Sequence, residues 1–292
     1  MMHSVQIKRP HRLESLCALG MLFGLWPDAA HGAEDVGKLV AQSRAAWQAG
    51  DTARAVELAT MAVEAGPDDA ATYVYRGSLY EMQRKHAEAV ADFDRAIELD
   101  PRNAEAYDHR GSERFKQGRF AESIADFDRA IAFDPAREAG HWKRGISYYY
   151  MRRYDDGRKQ FEHYQTVDNN DVENAVWRFL CMARQDGVPV ARRELLKIKQ
   201  DRRVPMMEIY ALFAGQATPD QVLAAARSGD PPPDELRTRL FYADIYLGLY
   251  YEALGEEAKA RQFIESAAQR EISHYMWDVA KVHAELLKRP GK

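Results

Sequence analysis

The stretch ADFDRAIELDP, Ala91–Pro101, returns as ADFDRAIAFDP at Ala125–Pro135, an offset of 34 residues. No other feature limits the possible folds as strongly, because a fixed period of this size means stacked supersecondary units instead of one globular core. Extending the register gives four consecutive units, 36–69, 70–103, 104–137 and 138–171. Gly77, Gly111 and Gly145 share the eighth place, with Ser43 in the first unit; Ala55, Ala89, Ser123 and Gly157 share the twentieth; Ala62, Ala96 and Ala130 the twenty-seventh. Large residues alternate with them: Tyr73, Tyr80 and Phe93 in one unit, Tyr107 and Phe127 in the next. Small positions let two helices approach, and the large ones fill the space between. Pro67, Pro101 and Pro135 stop the second helix of a unit, and Gly50 and Gly118 suit a left-handed turn inside it. A chain of 292 residues would otherwise suggest about two domains; the period predicts one continuous helical stack.

These positions resemble the tetratricopeptide repeat over residues 36–171. The resemblance implies an all-α, right-handed superhelical solenoid of helix-turn-helix repeats, whose first helices line a concave groove. Across the units the fifth place holds Val40, Val74, Asp108 and Trp142, and the ninth holds Arg44, Ser78, Ser112 and Ile146. Family members that clamp a partner's C-terminal carboxylate put lysine, arginine and asparagine there; this chain does not, so that partner class is not expected. The candidate groove residues are Trp47, Phe115, Trp142, Tyr149 and Tyr150, with Arg44 and Asp108. Aromatic surface of this kind suits an extended peptide or a helix. The alternative for the aromatics is packing inside the stack.

Past residue 171 the period decays: Tyr164 already stands where a small residue belongs, and Asn169 where proline belongs. Helical pattern persists over 172–185, 190–200 and 205–214, and Thr218-Pro219-Asp220 opens a further helix over 219–227. Residues 172–232 therefore form a degenerate helical region that ends near Pro231-Pro232-Pro233. Leu247-Gly248, Tyr251, Gly255, Ala260 and Ala267 restore the repeat pattern, so 233–290 is a C-terminal repeat-like unit with a capping helix from about His274 to Leu287.

Arg76, Arg110, Arg144 and Arg178 recur every 34 residues. They could hold acidic ligands, but pairing with Asp92 and Asp94, or Asp126 and Asp128, is the expectation, because a buried guanidinium needs a partner. Seven basic residues between Arg184 and Arg203 could meet an anionic polymer or acidic partner, with a solvated helix face as the simpler reading. Catalytic and metal motifs are missing from the sequence, so no enzyme activity, cofactor or metal is expected. His86-Ala87-Glu88 and His283-Ala284-Glu285 read as helix-surface pairs, and Cys181 as a small buried hydrophobe.

Residues 1–33 follow another order. Lys8, Arg9 and Arg12 precede the apolar run Leu16–Trp26, then Pro27 and small residues. This is the order of a cleaved export signal, and the run is too short to span a bilayer. Cys17 sits at the start of the run behind Leu16, which is the wrong place for a lipid-anchored cysteine, so a periplasmic protein without an outer-membrane lipid anchor is expected. The net charge of −4 argues against nucleic acid, and no run of about 18 apolar residues predicts a membrane span. The C-terminal third, above all Tyr246-Leu247-Gly248, Tyr250-Tyr251 and Leu254-Gly255, is similar to the bacterial NlpI lipoprotein family of envelope adaptors. That resemblance implies a homodimeric scaffold for peptidoglycan hydrolases, penicillin-binding proteins or a protease. An accessory factor for secretion or envelope assembly is the alternative, and from a different class, an envelope hydrolase or its cofactor with a site in 172–232.

Overall fold

The protein is described by a computed structural model over residues 29–289, and the described residues form helices and connecting turns. Most of the segment read as an export signal lies outside them. Four helix pairs come first: α1 (Ala29–Gln48) with α2 (Thr52–Ala65), α3 (Ala70–Met82) with α4 (His86–Leu99), α5 (Ala104–Lys116) with α6 (Phe120–Phe133), and α7 (Trp142–Tyr150) with α8 (Tyr154–Tyr164). Then follow α9 (Val172–Asp186), α10 (Val188–Arg193), α11 (Met206–Phe213), α12 (Pro219–Arg227), α13 (Pro233–Ala253), α14 (Glu257–Gln269) and α15 (Tyr275–Lys288). Together they make an all-helical solenoid.

Local chemistry explains where helices begin. Asp51, Asp69, Asn103 and Asp171 each accept a backbone N–H of the helix they precede, and Thr218 and Gln221 form a reciprocal capping box at α12. Inside the repeats the turn needs a left-handed residue: Gly50 and Gly118 adopt φ of 84° and 74°, and Arg84 and Arg152 take the same place at 59° and 58°.

Two ladders with a sixteen-residue step hold the second, third and fourth pairs together. The first is steric. A Cβ on Gly77, Gly111 or Gly145 would lie 2.7 Å from the ring of Phe93, Phe127 or Phe161, so only glycine lets these fully buried rings in. Gly248 meets Ile264 at the same 2.7 Å, which places α13 and α14 in the repeat geometry.

The second ladder is electrostatic and bears out the pairing of the arginines. Arg76 grips Asp92 through Nε and Nη2 at 2.8 and 2.7 Å. Arg110 grips Asp126 at 3.0 and 2.7 Å and reaches back to Asp94 at 2.6 Å. Arg144 does the same with Gln160 and Asp128, and Arg178 with the Glu194 carbonyl and Glu162. Arg110 and Arg144 thus tie their own second helix to the second helix of the preceding repeat, a planar fork used in two directions, and Arg76 reaches back to the Thr60 hydroxyl at 3.5 Å.

The ladder also accounts for the region after residue 171. Arg178 finds its forward partner sixteen residues on, so α9 is the first helix of a fifth, decayed unit. The helix expected over 190–200 is corrected to α10, which stops at Arg193. Beyond it the backbone is pinned from outside: Arg178 donates to the Glu194 carbonyl at 2.6 Å, Ile198 is buried, and Arg203 folds back onto Asp171 and Glu173. The solvated-face reading of the basic run holds for Arg193, Lys197, Lys199 and Arg202, which are exposed, and is corrected for the other three, because Arg184 bonds Tyr149 and Glu252, Arg192 bonds Tyr250, and Arg203 bonds three carboxylates. Cys181 is fully buried, with burial pushing its thiol up, and Gly157 leaves room for its sulfur.

The solenoid curls far enough for its C-terminal helix to reach repeats two to four. α15 packs on α14 as a terminal cap does, and its other face lies against repeats two to four. Trp277 donates its indole N–H to the Ala268 carbonyl at 2.9 Å, and its ring lies 3.9 Å from the Arg84 guanidinium. Arg84 also bonds Asp278 at 2.5 Å. His283 is not a surface residue: it is buried, hydrogen-bonded to the Tyr150 hydroxyl at 2.9 Å and 3.3 Å from Glu252.

Candidate functional site

The concave surface of repeats two to four is already occupied, by α15. Tyr275 sits with its ring 5.5 Å from Phe115 and 5.4 Å from Trp142, and Trp142 stacks on His274 at 6.4 Å. Lys116 and Lys143 approach the same Tyr275 ring at 5.8 and 5.6 Å. Its hydroxyl is buried without a hydrogen-bond partner, and burial raises its pKa well above the usual tyrosine value.

The candidate groove residues therefore separate. Phe115 is fully buried among Phe120, Tyr150 and Tyr275, and Tyr149 is buried against Trp177, so both are corrected from contact surface to core. The reason is that Phe115 meets a wall from α15, which no repeat register describes, and Tyr149 meets α9, the first helix of the decayed fifth unit. Tyr150 and Trp142 are half-buried by the same closure. Asp108 faces inward, 2.9 Å from His141 and 3.2 Å from Lys143; burial pushes its carboxyl up, but these two neighbours outweigh that and hold it well below the usual carboxylate range. Arg44 and Trp47 remain: Arg44 is exposed over the Tyr75 ring at 5.5 Å, and Trp47 is half-buried in the first repeat. They mark the part of the concave face that α15 leaves open. Beside α15 a cleft of about 570 Å³ runs between His86, Lys116 and Gln117 on one side and Glu265, Lys281 and Glu285 on the other.

Charged residues brace the floor of the groove. Lys116 bridges Glu81 at 2.8 Å and Glu113 at 2.5 Å, and His109 bonds Glu81 at 2.8 Å. Burial pushes the Glu81 carboxyl up, yet His109 and Lys116 outweigh it and bring it down from 4.5 to about 2. A depressed carboxylate stabilises the fold at pH values above its unfolded pKa and loses that contribution as pH falls towards the folded one. Glu81→Gln should therefore remove part of the stability loss between pH 4.5 and about 2. Urea unfolding of both proteins at neutral pH and at pH near 3 checks it; an unchanged acid slope would contradict this assignment.

A second cluster was not foreseen from the sequence, and it lies where α9 meets the basic segment. Asp171 and Glu173 at the start of α9, together with Asp201, converge on Arg203 at 2.7, 2.6 and 2.6 Å. Tyr246 donates to Glu173 at 2.6 Å from α13. Burial, then the neighbouring Glu173 charge, push the Asp171 carboxyl up to about 6 in spite of Arg203. Asp171, Glu173 and Arg203 border a cavity of about 160 Å³ whose other walls include Trp142, Phe161, Tyr164, Asn174, Trp177 and His274. The period marked Arg178 and Trp142, but the cluster joins positions about 30 and 70 residues apart that share no register.

Nothing among the described residues groups three His, Cys, Asp or Glu side chains fit to hold a metal, and no described helix is long and apolar enough to cross a membrane.

Residues 40–104 match a tetratricopeptide repeat model, and residues 111–151 match a TPR repeat model. None of the curated proteins matches the chain. Among solved structures it is similar to a tetratricopeptide repeat protein from Parabacteroides merdae ATCC 43184, with a TM-score of 0.58 at 16% identity over 88% of this chain and 100% of that one. It is also similar to the MamA protein, with a TM-score of 0.52 at 20% identity over 55% of this chain and 88% of that one. A third likeness is to pilF of Pseudomonas aeruginosa, with a TM-score of 0.50 at 13% identity over 87% and 99% of the two chains. These likenesses establish the fold: a tetratricopeptide-repeat solenoid, an architecture used as a scaffold for protein–protein interaction.

Proposed function

We propose that this repeat protein works in the periplasm as a non-catalytic adaptor that holds cell-envelope enzymes, a peptidoglycan hydrolase or a protease, and that it does so as a homodimer. The scaffold part is carried by one observation: the first helices of repeats two to four are fixed at constant spacing by the glycine–phenylalanine and arginine ladders, and Tyr75 donates to Ser43 at 2.8 Å to hold the first repeat against them, so the concave face is preformed. A preformed face binds with little ordering loss. Its open portion is the first repeat, around Arg44 and Trp47. The envelope address is supported by the order of basic, apolar and small residues in 1–33. The partner class is supported by the resemblance around Tyr246-Leu247-Gly248; that cluster is buried, so it marks a shared core and not a contact surface.

Fractionation of cells expressing the full chain tests the address: the expected result is a processed periplasmic protein, and a cytosolic protein that still carries residues 1–33 overturns it. Purified envelope hydrolases and proteases, assayed against the protein and its Arg44→Ala, Trp47→Ala double variant, test the open face. Binding that the double variant retains in full would remove the first repeat from the site. Light scattering after size exclusion decides the dimer.

A further inference from the structure

We propose that α15 is a resident ligand of the groove of repeats two to four, and that an amphipathic helix of a partner protein takes its place. The incoming helix carries an aromatic residue and, three residues later, an acidic one. This rests on the adaptor reading only for the existence of a protein partner, and it concerns a different stretch of the concave face.

What the groove accepts is shown by what already sits in it. Tyr275 fills a slot between Phe115 of the third repeat and Trp142 of the fourth, with ring centroids 5.5 and 5.4 Å away. Lys116 and Lys143 lie 5.8 and 5.6 Å from the same ring, and ammonium groups so placed favour an aromatic occupant over an aliphatic one. One turn along the helix, Asp278 reaches Arg84 of the second repeat at 2.5 Å. Residues three apart share a helix face. The groove therefore takes a ring and a carboxylate from one face of one helix, the helix-in-groove mode of recognition.

Three features make this a seat that can be vacated. First, the resident is an imperfect fit, because the Tyr275 hydroxyl is buried without a hydrogen-bond partner. An unmet buried hydroxyl costs free energy, and a phenylalanine ring in the same slot carries no such cost. A partner helix can thus satisfy the slot better than the chain's own helix does. Second, the charges that hold the start of α15 are partly in water. Arg84 keeps 33% of its side chain exposed, and its second partner, Glu271, is 69% exposed at 3.7 Å. Exposed pairs are weak and screened by salt.

Third, α15 is not packed down along its whole length. The cleft of about 570 Å³ lies between Lys281, Val282 and Glu285 on α15 and His86 and Gln117 of the repeats. Close packing, which would fix the helix in place, is interrupted on that side. A resident helix lowers a competitor's apparent affinity by the fraction of molecules whose groove is open, so loosening the resident raises that affinity.

The test uses the full chain and a fluorescent, capped peptide of residues 274–288, followed by anisotropy. Asp278→Asn in the protein should bind this peptide about tenfold more tightly than the wild type does, because the variant loosens the resident and leaves the groove intact. Within the peptide, Tyr275→Phe should bind at least as well, while Tyr275→Ala and Asp278→Lys should each bind about tenfold more weakly. An alanine-rich host helix carrying phenylalanine and, three residues later, aspartate should compete with the peptide, and the same helix with lysine in the acid's place should not. Hydrogen exchange of the wild type saturated with the host helix keeps the test independent of any variant: the α15 amides should lose protection. Unchanged protection of α15 would mean a permanent layer of the core. Equal binding of the Asp278→Lys peptide would mean an unselective apolar groove, and competition by the chain's own peptide alone would mean a seat for a second copy. Each of these overturns the proposal. The Arg44→Ala, Trp47→Ala variant should bind the peptides as the wild type does, so the two faces stand or fail separately; loss of binding in that variant would move the peptide to the first repeat and overturn the assignment to this groove.

Discussion

Replacing Asp126 with alanine is expected to destabilise the protein by about 3–5 kcal/mol, the loss that follows when one partner of a buried ion pair is removed. Asp126 is 3% exposed and accepts from two guanidinium groups at once, Arg110 at 3.0 and 2.7 Å and Arg114 at 2.7 Å. Both arginines keep only a small part of their side chains in water, so neither can be rehydrated without opening the joint between α5 and α6. Arg110 retains Asp94 at 2.6 Å, which sits on an exposed edge, while Arg114 has only distant carboxylates near 4 Å. The comparison is Glu98→Ala, which breaks the exposed Arg95–Glu98 pair at 3.0 Å and should leave stability almost unchanged. Urea unfolding of both variants measures the difference. If Asp126→Ala matched Glu98→Ala, the arginine ladder would be decoration on a stack held by apolar packing alone.

Trp277→Ala should cost about as much, 3–5 kcal/mol for a large buried aromatic, but with a different distribution through the molecule. Trp277 fixes α15 from both sides, through Ala268 on α14 and Arg84 in the turn of the second repeat. Lys281 also covers its ring at 4.0 Å. Truncation leaves a hole where the C-terminal pair meets the second repeat, while the glycine–phenylalanine contacts stay intact. Hydrogen exchange is therefore expected to accelerate first in α15 and at the groove residues beneath it, Trp142 and Tyr150, with α3 to α6 protected until global unfolding. The same variant should bind an apolar dye at the uncovered aromatics. Uniform loss of protection across the chain would mean that α15 is an integral layer of the core and not a separately seated element.

Repeat and ladder were legible in the sequence because they are encoded at a constant short separation. Gly77 and Phe93, or Arg110 and Asp126, are sixteen residues apart, and their recurrence at a step of 34 makes each pair visible against its copies. The turn glycines Gly50 and Gly118 and the Thr218 cap were legible for the same reason, being local. The groove assignment was readable only up to the point where a second wall arrives. Phe115 carries the residue type and register of a contact surface, yet it is buried by Tyr275, which no periodicity connects to it. The short α10 was misjudged because amphipathic spacing over 190–200 competes with tethers, Arg178 to the Glu194 carbonyl and Arg203 to Asp171, that lie outside the segment.

The amino-acid sequence by itself thus determined an all-helical repeat stack, the pairing of its arginines and the burial of Cys181, since each follows from residue size and charge at fixed local spacing. Tertiary structure alone decided that α15 fills the groove of repeats two to four and that Asp171, Glu173, Asp201, Arg203 and Tyr246 meet in one hydrogen-bonded cluster. Those outcomes depend on curvature, the sum of small rotations accumulated from repeat to repeat. A rotation of this kind leaves no mark on any single unit, and it decides which distant residues face each other when the stack closes.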